Sequence, residues 1–311
     1  MTQIVNDQPI NDETAPNERL GFFLLMVLPI MGSSNMLIAR ATADLIPPIA
    51  LSFWRWAITL LLMSLFFGPK LWRQRADIKH EWKDLILMGA LGMGVCGAFV
   101  YIGAATTTAT NIGLIYAASP VMIIIMGRFI YGETLSAIQT VGVAICLLGV
   151  LIIIAKGSVN TFINLKFTIG DLWIAAATCG WALYSILQKH RPTKLGIMRR
   201  LTATTGAGVL VLLPFTIWEG AYVAIPTLNK ETIIAVVFLA LVPSFAAYAT
   251  YAKIQKIFGA AKAGLVMYLI PVVNSLLAWA LLGENLEPYH YLGAAMVLPG
   301  IWLSTKKKRI G

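Results

Sequence analysis

Long apolar runs alternate with short polar segments along most of the chain. A transmembrane helix needs roughly 20 apolar residues, because a helix rises about 1.5 Å per residue through about 30 Å of hydrocarbon. The pattern therefore predicts an all-α integral membrane protein with ten transmembrane helices. The ten runs are Leu20–Ala39, Pro48–Phe67, Asp84–Gly103, Ala109–Ile130, Ser136–Ala155, Ile169–Gln188, Arg200–Trp218, Thr232–Ala252, Gly259–Leu282 and Pro288–Thr305.

The polar segments between these runs differ in charge from one side of the membrane to the other. Cytoplasmic loops of membrane proteins carry an excess of Lys and Arg. With the N-terminus inside, the inside segments hold 19 Lys and Arg residues and the outside segments hold four. We therefore expect a multi-pass protein of the cell inner (cytoplasmic) membrane with both termini in the cytoplasm. Residues 1–19 are predicted to form a disordered cytoplasmic tail, and residues 306–311 a basic cytoplasmic tail.

Composition excludes several classes of function. The chain is 58% hydrophobic and 12% charged, against about 25% charged residues in soluble proteins, so lipid must cover most of its surface. The net charge is +10, but the positive charges lie in loops, so no nucleic-acid partner is expected. The three Cys lie in apolar runs and the three His are isolated. We therefore predict no disulfide framework, no metal site and no cofactor.

One motif suggests nucleotide chemistry, but its context argues against that function. Residues Gly92–Gly97 fit G-x-G-x-x-G, a fingerprint that needs a preceding strand and an acidic residue about 20 positions later. Here the glycines lie inside an apolar run, where small residues permit close helix packing. The sequence has no P-loop, nucleophile elbow or HExxH motif, and no Asp or Glu lies deep within a span. We therefore predict no enzymatic activity, and facilitated movement or exchange in preference to tight proton coupling.

The two halves of the chain resemble each other when one is shifted by 151 residues. The aligned pairs are Gly113 and Gly264, Pro120 and Pro271, Glu133 and Glu284, Gly142 and Gly293, and Gly149 and Gly300. The division predicts a first repeat at residues 20–155, an outer connecting loop at residues 156–168 and a second repeat at residues 169–305. Because each repeat holds five spans, an odd number, the second five-helix repeat is inverted. Inverted repeats are typical of secondary transporters that bind substrate near the membrane midplane.

Two motifs of the repeat resemble a known family. Pro120 followed by Tyr131-Gly132-Glu133, and Pro271 followed by Leu282-Gly283-Glu284, are similar to the C-terminal part of an EamA repeat of the drug/metabolite transporter superfamily. Phe53-Trp54-Arg55 resembles the aromatic-Arg motif of that family in the second span. The resemblance covers about residues 20–305. It implies ten helices, alternating access and, often, export of amino acids or other small metabolites.

Polar and aromatic residues at mid-depth in the spans are the candidate substrate-binding residues. Aromatic rings offer stacking and cation–π contacts to small organic solutes, and as a set these residues predict an amphipathic cavity. For any single residue, helix packing is the commoner role. The candidates are Ser33, Ser34, Asn35, Tyr101, Asn111, Tyr116, Trp181, Tyr184, Ser244, Tyr248, Tyr268 and Asn274.

Four charged residues have two interpretations each. Arg55 lies inside the second span, where a charge costs roughly 2.5–3.5 kcal/mol, so it either binds a substrate carboxylate or pins its helix to neighbours. Lys262 either anchors the ninth span at the cytoplasmic surface or attracts an anionic substrate group. Glu133 and Glu284 either cap helices or act as gate carboxylates. The structural role is favoured for all four.

These observations lead to one main hypothesis and several alternatives. We expect a secondary transporter that moves a small metabolite, with an amino acid or related compound as first choice, by efflux or exchange. The third, fourth, eighth and ninth helices would rock around a central cavity, while glycines make the fifth and tenth helices a scaffold. A drug or nucleotide-sugar/nucleoside carrier on the same fold is the alternative within transport. A non-transporting membrane scaffold or sensor is the alternative outside transport. The sequence leaves the oligomeric state open.

Overall fold

A computed structural model describes residues 18–42, 45–227, 229–282 and 285–305, and within these ranges every regular element is helical. The α-helices are α1 (Glu18–Ala41), α2 (Pro48–Arg73), α3 (Arg75–Gly89), α4 (Cys96–Ala104), α5 (Ala109–Ala117), α6 (Ser119–Tyr131), α7 (Ala137–Ile154), α8 (Val159–Ile163), α9 (Ile169–His190), α10 (Ile197–Tyr222), α11 (Lys230–Leu239), α12 (Ala247–Phe258), α13 (Ala260–Gly264), α14 (Val266–Leu282) and α15 (Pro288–Thr305). Two π-helical segments complete the set. The expected tails at residues 1–17 and 306–311, together with Glu284, lie outside the described residues.

Among the described residues, eight helical stretches are long and apolar enough to cross a membrane, which confirms the all-helical membrane class. A further helix, Arg19–Asn35, is apolar but shorter, and α15 has 18 residues without being among the eight. The eight stretches are Pro48–Arg73, Arg75–Ala104, Thr110–Tyr131, Ala137–Ile154, Ile169–His190, Ile197–Tyr222, Lys230–Phe258 and Ala260–Leu277.

Short polar residues set the helix boundaries. Ser136 and Gln139 form a reciprocal capping box that begins α7. Asn229 caps α11 by accepting the backbone N–H of Thr232 at 2.8 Å. Gly132 ends α6 in the left-handed conformation (φ 68°), which glycine adopts without strain. These local signals explain why the loops between apolar runs are short.

Contacts between helix ends define two ends of the bundle. We call the end of the bundle at which α1 begins the near side, and the opposite end the far side. On the near side, Gly21 lies against Phe258 at the end of α12, and the Lys262 ammonium donates to the Thr305 carbonyl at 2.8 Å. On the far side, Gly103 of α4 lies against Gly170 of α9. Helices α1, α12 and α15 therefore have ends on the near side, and α4 and α9 have ends on the far side.

The third and eighth apolar runs each contain a π-helical segment. The first π-segment (Ala90–Val95) joins α3 to α4, and the second π-segment (Ala240–Ala246) joins α11 to α12. Their starting positions differ by 150 residues, which is close to the repeat offset. A π-helical turn widens the backbone hydrogen-bond ladder and is frequent at functional sites. Hydropathy gave no sign of these segments.

The fourth and ninth runs are interrupted as well. Helix α5 ends before Ala118, and Pro120 follows within the first turn of α6, where its missing N–H costs nothing. The ninth run is divided at Leu265, between α13 and α14, with Pro271 inside α14. Pro243 lies in the second π-segment, and Pro29 lies inside α1. Proline bends a helix by breaking its backbone hydrogen-bond ladder, and all four prolines were expected from the sequence to supply such bends. Two of them, Pro120 and Pro243, coincide with an irregularity of the helix.

Helices α7 and α15 pack against each other along four glycines. A β carbon at Gly142 would lie 2.7 Å from the Gly300 carbonyl oxygen, and one at Gly149 would lie 2.8 Å from the Gly293 carbonyl oxygen. Because the lower number of α7 pairs with the higher number of α15, the two helices are antiparallel. Only glycine permits backbones this close.

Candidate functional site

One face of α2 forms the centre of the bundle. Ser52, Arg55, Trp56 and Thr59 lie at helical spacings i, i+3, i+4 and i+7, so they share a face, and all four are buried. Polar side chains at this depth need partners, because an unpaired polar group in an apolar interior is costly. The neighbouring helices supply most of those partners.

Arg55 is at the centre of a three-helix hydrogen-bond network, which we call the arginine hub (Asn35, Arg55 and Tyr101). Its Nη1 donates to Asn35 Oδ1 of α1 at 2.8 Å and to the Tyr101 hydroxyl of α4 at 2.6 Å. The Tyr101 hydroxyl donates in turn to Asn35 Oδ1 at 2.7 Å. The guanidinium carbon also lies 5.4 Å from the Tyr101 ring centroid, within cation–π range. The arginine hub thus holds α1, α2 and α4 together.

Side chains of α2 and α12 contact both π-segments. The Ser52 hydroxyl donates to the Met93 carbonyl at 3.3 Å, and the Thr59 hydroxyl lies 2.9 Å from the Ala240 carbonyl. The Tyr248 hydroxyl donates to the Gly92 carbonyl at 2.9 Å. Carbonyls released by the wide π turns are therefore satisfied by side chains from other helices. Both π-segments therefore contact the buried face of α2.

Five aromatic rings, the aromatic cluster, lie beside these segments: Trp56, Trp181, Tyr184, Tyr248 and Tyr251. Trp181 is edge-on to Tyr248 at 5.6 Å and lies 4.7 Å from the Tyr251 ring centroid. The Tyr251 hydroxyl is 2.8 Å from the Ser185 hydroxyl. The indole N–H of Trp181 is buried and has no hydrogen-bond partner in the described chain. The aromatic cluster therefore combines stacking faces with an unused donor.

A cavity of about 390 Å³ lies between the aromatic cluster and the near side. This volume is within the range of small-molecule pockets. Tyr184 belongs both to the cavity wall and to the aromatic cluster, so it connects the two. Arg200, Lys189 and Lys256 are the basic residues of the wall. We call this cavity the vestibule.

On the near side, Glu133 ties the loop after α6 to the end of α9. Its carboxylate accepts hydrogen bonds from Lys189 and from His190, the latter at 2.6 Å, and His190 stacks on Tyr131 at 3.9 Å. Partial burial raises the pKa of Glu133, but the bonds from Lys189 and His190 outweigh burial and leave the pKa below its usual value. Glu133 therefore makes a charged contact between α6 and α9.

On the far side, two carboxylates tie helix ends together. Asp171 accepts from the Asn111 amide at 2.9 Å and also from the Thr107 hydroxyl. Glu219 accepts from the backbone N–H groups of Ile49 and Ala50 at 3.0 and 2.7 Å, which caps the start of α2. The far side is thus closed by direct contacts between helices of both halves.

The structure brings together several of the predicted site residues. Asn35 and Tyr101 belong to the arginine hub, and Trp181, Tyr184 and Tyr248 to the aromatic cluster. Ser244 is buried in the second π-segment, where its hydroxyl has no partner among the described residues.

Other predicted residues lie elsewhere. Ser33 and Ser34 donate to carbonyls of their own helix, both at 2.7 Å. Tyr116 is half-buried and packs beside Tyr101. Tyr268 is buried against α7 and α15, on the scaffold side, and Asn274 is exposed. Asn111 lies on the far side, and Lys262 bonds to the end of α15.

Some residues of this region were not singled out from the sequence. Ser52, Trp56 and Thr59 share the buried face of α2 with Arg55, and that spacing was a usable signal. Arg200 was assigned to a loop edge, but α10 begins at Ile197, so Arg200 lies one turn inside the helix. The apolar pattern did not show that the helix begins before Arg200.

The EamA-like transporter family matches this chain twice, over residues 19–155 and again over residues 168–306. The uncharacterised transporter YyaM of Bacillus subtilis (strain 168) is 24% identical, over 93% of this chain and 94% of that protein. A probable amino-acid metabolite efflux pump of Salmonella typhimurium (strain LT2) is 23% identical, over 91% of this chain and 94% of that protein.

A solved crystal structure of a protein is also similar, with a TM-score of 0.70 over 94% of this chain and 96% of that chain. Its 18% identity supports the fold alone. The two family matches cover both predicted repeats and confirm the resemblance noted from the Pro…Gly-Glu motifs. The chain is a multi-pass membrane protein and belongs to the EamA-like transporter family.

Proposed function

We propose that this protein is a secondary transporter that exports or exchanges a small metabolite, an amino acid or a related compound, by alternating access. The observation that carries the proposal is the vestibule, whose wall shares Tyr184 with the aromatic cluster beside the two π-segments. A solute entering from the near side would reach stacking rings and buried polar groups at the centre. The name of the relative from Salmonella typhimurium supports the choice of substrate class.

Ten spans in two inverted repeats are the architecture that this mechanism needs, and two pairs of contacts support it. Helices α7 and α15 are repeat partners and run antiparallel, as inversion requires. At the near side the start of α1 meets the end of α12 through Gly21 and Phe258. At the far side the equivalent pair, the start of α9 and the end of α4, meets through Gly170 and Gly103.

The near side would face the cytoplasm. The segments that the topology assigns to it hold 19 of the Lys and Arg residues, against four on the far side. The vestibule opens toward the near side, while Asp171 and Glu219 close the far side. The structure would therefore represent an inward-facing state in the inner membrane, and export would begin by solute entry into the vestibule.

The helices expected to rock are those with interruptions. The third and eighth spans contain the π-segments, and the fourth and ninth are divided at Ala118 and Leu265. The rigid glycine contact between α7 and α15 would serve as the fixed frame. Opening of the far side would break the contacts of Asp171 with Asn111 and of Glu219 with α2.

A non-transporting scaffold or sensor is less well supported. It predicts a centre filled with large apolar residues. The centre instead contains Asn35, Arg55 and Tyr101, and unpaired polar atoms at Trp181 and Ser244 within the described chain. The alternative of a drug or nucleoside carrier on the same fold is tested by including nucleosides and cationic dyes among the solutes.

The experiment is uptake into proteoliposomes with amino acids, nucleosides and cationic dyes. We expect saturable amino-acid transport, and we expect Trp181→Ala to raise KM by about 10-fold, since stacking and burial of one ring contribute about 1–3 kcal/mol. Trp279→Ala is the matched control, because Trp279 of α14 is 55% exposed. Saturable transport of nucleosides or dyes alone would select the alternative carrier, and no saturable transport of any class would refute the transporter function.

A further inference from the structure

The vestibule wall is basic and contains no carboxylate among its lining residues. Lys189 of this wall pairs with Glu133, and two further acidic residues nearby, Asp84 and Glu81, have other partners. Asp84 pairs with Arg191 at 3.4 Å, and Glu81 accepts from the Thr193 hydroxyl at 2.7 Å and the Lys194 N–H at 2.9 Å. Arg200 and Lys256, the other two basic residues of the wall, have no carboxylate partner among the described residues.

Arg200 is a buried guanidinium of this wall with incomplete hydrogen bonding. It is 9% exposed, and its Nη1 donates to the Gln188 carbonyl at 2.8 Å. Its Nη2 has the Met88 thioether sulfur at 3.3 Å, a weak acceptor. Its Nε has no partner in the described ranges. A carboxylate is the ligand that completes a guanidinium of this kind, because it accepts two parallel N–H bonds.

The same wall also carries unpaired acceptors. The side-chain oxygens of Gln188 and Gln255 are buried without a hydrogen-bond partner among the residues described, and so is the Thr204 hydroxyl. The Gln255 amide nitrogen is already used, since it donates to the Ser185 carbonyl at 2.9 Å. The Gln255 side-chain oxygen is therefore the unpaired acceptor of this residue. Amide oxygens accept readily from an ammonium group.

We propose that the vestibule is the entry site of the transporter and recognises a small zwitterion, with its carboxylate on Arg200 and Thr204 and its ammonium on Gln188 and Gln255. This inference rests on the proposed transport function. It assigns carboxylate recognition to Arg200 in place of Arg55, whose Nη1 is already satisfied within the arginine hub. Apolar side chains of the wall, Met88, Leu195 and Leu201, leave room for an aliphatic side chain.

The test measures equilibrium binding of radiolabelled L-leucine, L-methionine and L-threonine to the purified full chain in detergent. Two competitors separate the charges of leucine: 3-methylbutylamine lacks the carboxylate, and 4-methylpentanoate lacks the ammonium. We expect at least one amino acid to bind, with both leucine competitors weaker than leucine by about 10-fold or more, as expected for loss of a charge-assisted pair.

Three variants locate the site. Arg200→Gln should weaken amino-acid binding by about 10-fold or more while leaving the weak binding of 3-methylbutylamine unchanged. Thr204→Val, which keeps the shape of the side chain, should weaken it by a few-fold. Arg199→Gln is the matched control, because Arg199 precedes Arg200 and lies outside the vestibule wall. Size-exclusion elution and the Tm of each variant establish that it is folded.

The outcomes separate the site from the function. Absence of amino-acid binding, amine binding as tight as leucine binding, or equal effects of Arg199→Gln and Arg200→Gln would overturn the zwitterion site. Transport is measured in parallel in proteoliposomes. Transport with unchanged KM in Arg200→Gln would overturn the site and leave the transporter function standing. Arg200-dependent binding without any transport would support the site and refute the function.

Discussion

Two buried arginines occupy the second helix of each half of the molecule, and their surroundings differ. Arg55 in α2 is 3% exposed and donates to two side chains from two other helices. Arg200 in α10 is 9% exposed, but its partners are a backbone carbonyl and a thioether, and it lies on a cavity wall. Burial alone therefore does not tell a structural cation from a ligand-binding one. The Nε of each guanidinium is buried without a partner among the described residues, so the distinction rests on the partners of the Nη groups and on the cavity beside Arg200.

The largest expected difference is in stability. Arg55→Gln removes a guanidinium that joins three helices and should cost roughly 2–3 kcal/mol, as expected for hydrogen bonds of a charged group. Arg200→Gln removes a buried charge with weak partners and should change the stability by less than about 1 kcal/mol. The midpoints of thermal unfolding in detergent measure both. Equal losses, or the larger loss for Arg200, would contradict the comparison.

A double-mutant cycle sharpens the same comparison at a smaller scale. Asn35→Ala and Arg55→Gln share a hydrogen bond, so their effects on stability should be non-additive by roughly 1 kcal/mol. Asn35 and Arg200 share no hydrogen-bond partner among the described residues, so Asn35→Ala and Arg200→Gln should add within about 0.5 kcal/mol. Tm values of the three single and two double variants give both coupling energies. Coupling of Asn35 to Arg200 as strong as to Arg55 would mean that the vestibule and the arginine hub are one network.

The sequence predicted the helical class and most helix bounds, because lipid requires long apolar runs and short capped loops. It did not predict the π-segments or the start of α10 at Ile197, since hydropathy averages over a turn of helix. The same limit applies to the candidate site. Asn35 and Tyr248 were chosen for polarity or aromaticity and lie at the centre.

Tyr268 and Asn274 were chosen on the same grounds, yet one lies on the scaffold side and the other is exposed. In water, the polar face of a helix marks its outside, so the pattern reports rotation about the helix axis. In a membrane bundle both the lipid face and the packed face are apolar, so the pattern says little about rotation about the helix axis. The direction in which a polar residue points therefore required the structure.

The smallest predicted effect concerns pH and the edge of the vestibule. The pKa of Glu133 is held below its usual value of about 4.3, because bonds from Lys189 and His190 outweigh partial burial. A carboxylate with a lowered pKa stabilises the folded state above its unfolded-state pKa, and this contribution is lost as the pH falls through the folded-state pKa. Glu133→Gln should therefore reduce the loss of unfolding free energy between about pH 5 and pH 3. The reduction should be below about 1 kcal/mol, because the pair is partly solvated, and Tm measured as a function of pH reports it.

The same variant also tests whether Lys189 belongs with Arg200. Lys189 lies on the vestibule wall while its ammonium is bonded to Glu133. In Glu133→Gln at pH 7 the ammonium loses its anion, so the positive potential of the wall rises and leucine should bind more tightly, by at most a few-fold. Arg55 belongs to the arginine hub, so we expect Glu133→Gln to leave its contacts unchanged. An unchanged affinity for leucine would show that Lys189 contributes no field to the vestibule, and Arg200 would remain the sole cation assigned to the carboxylate.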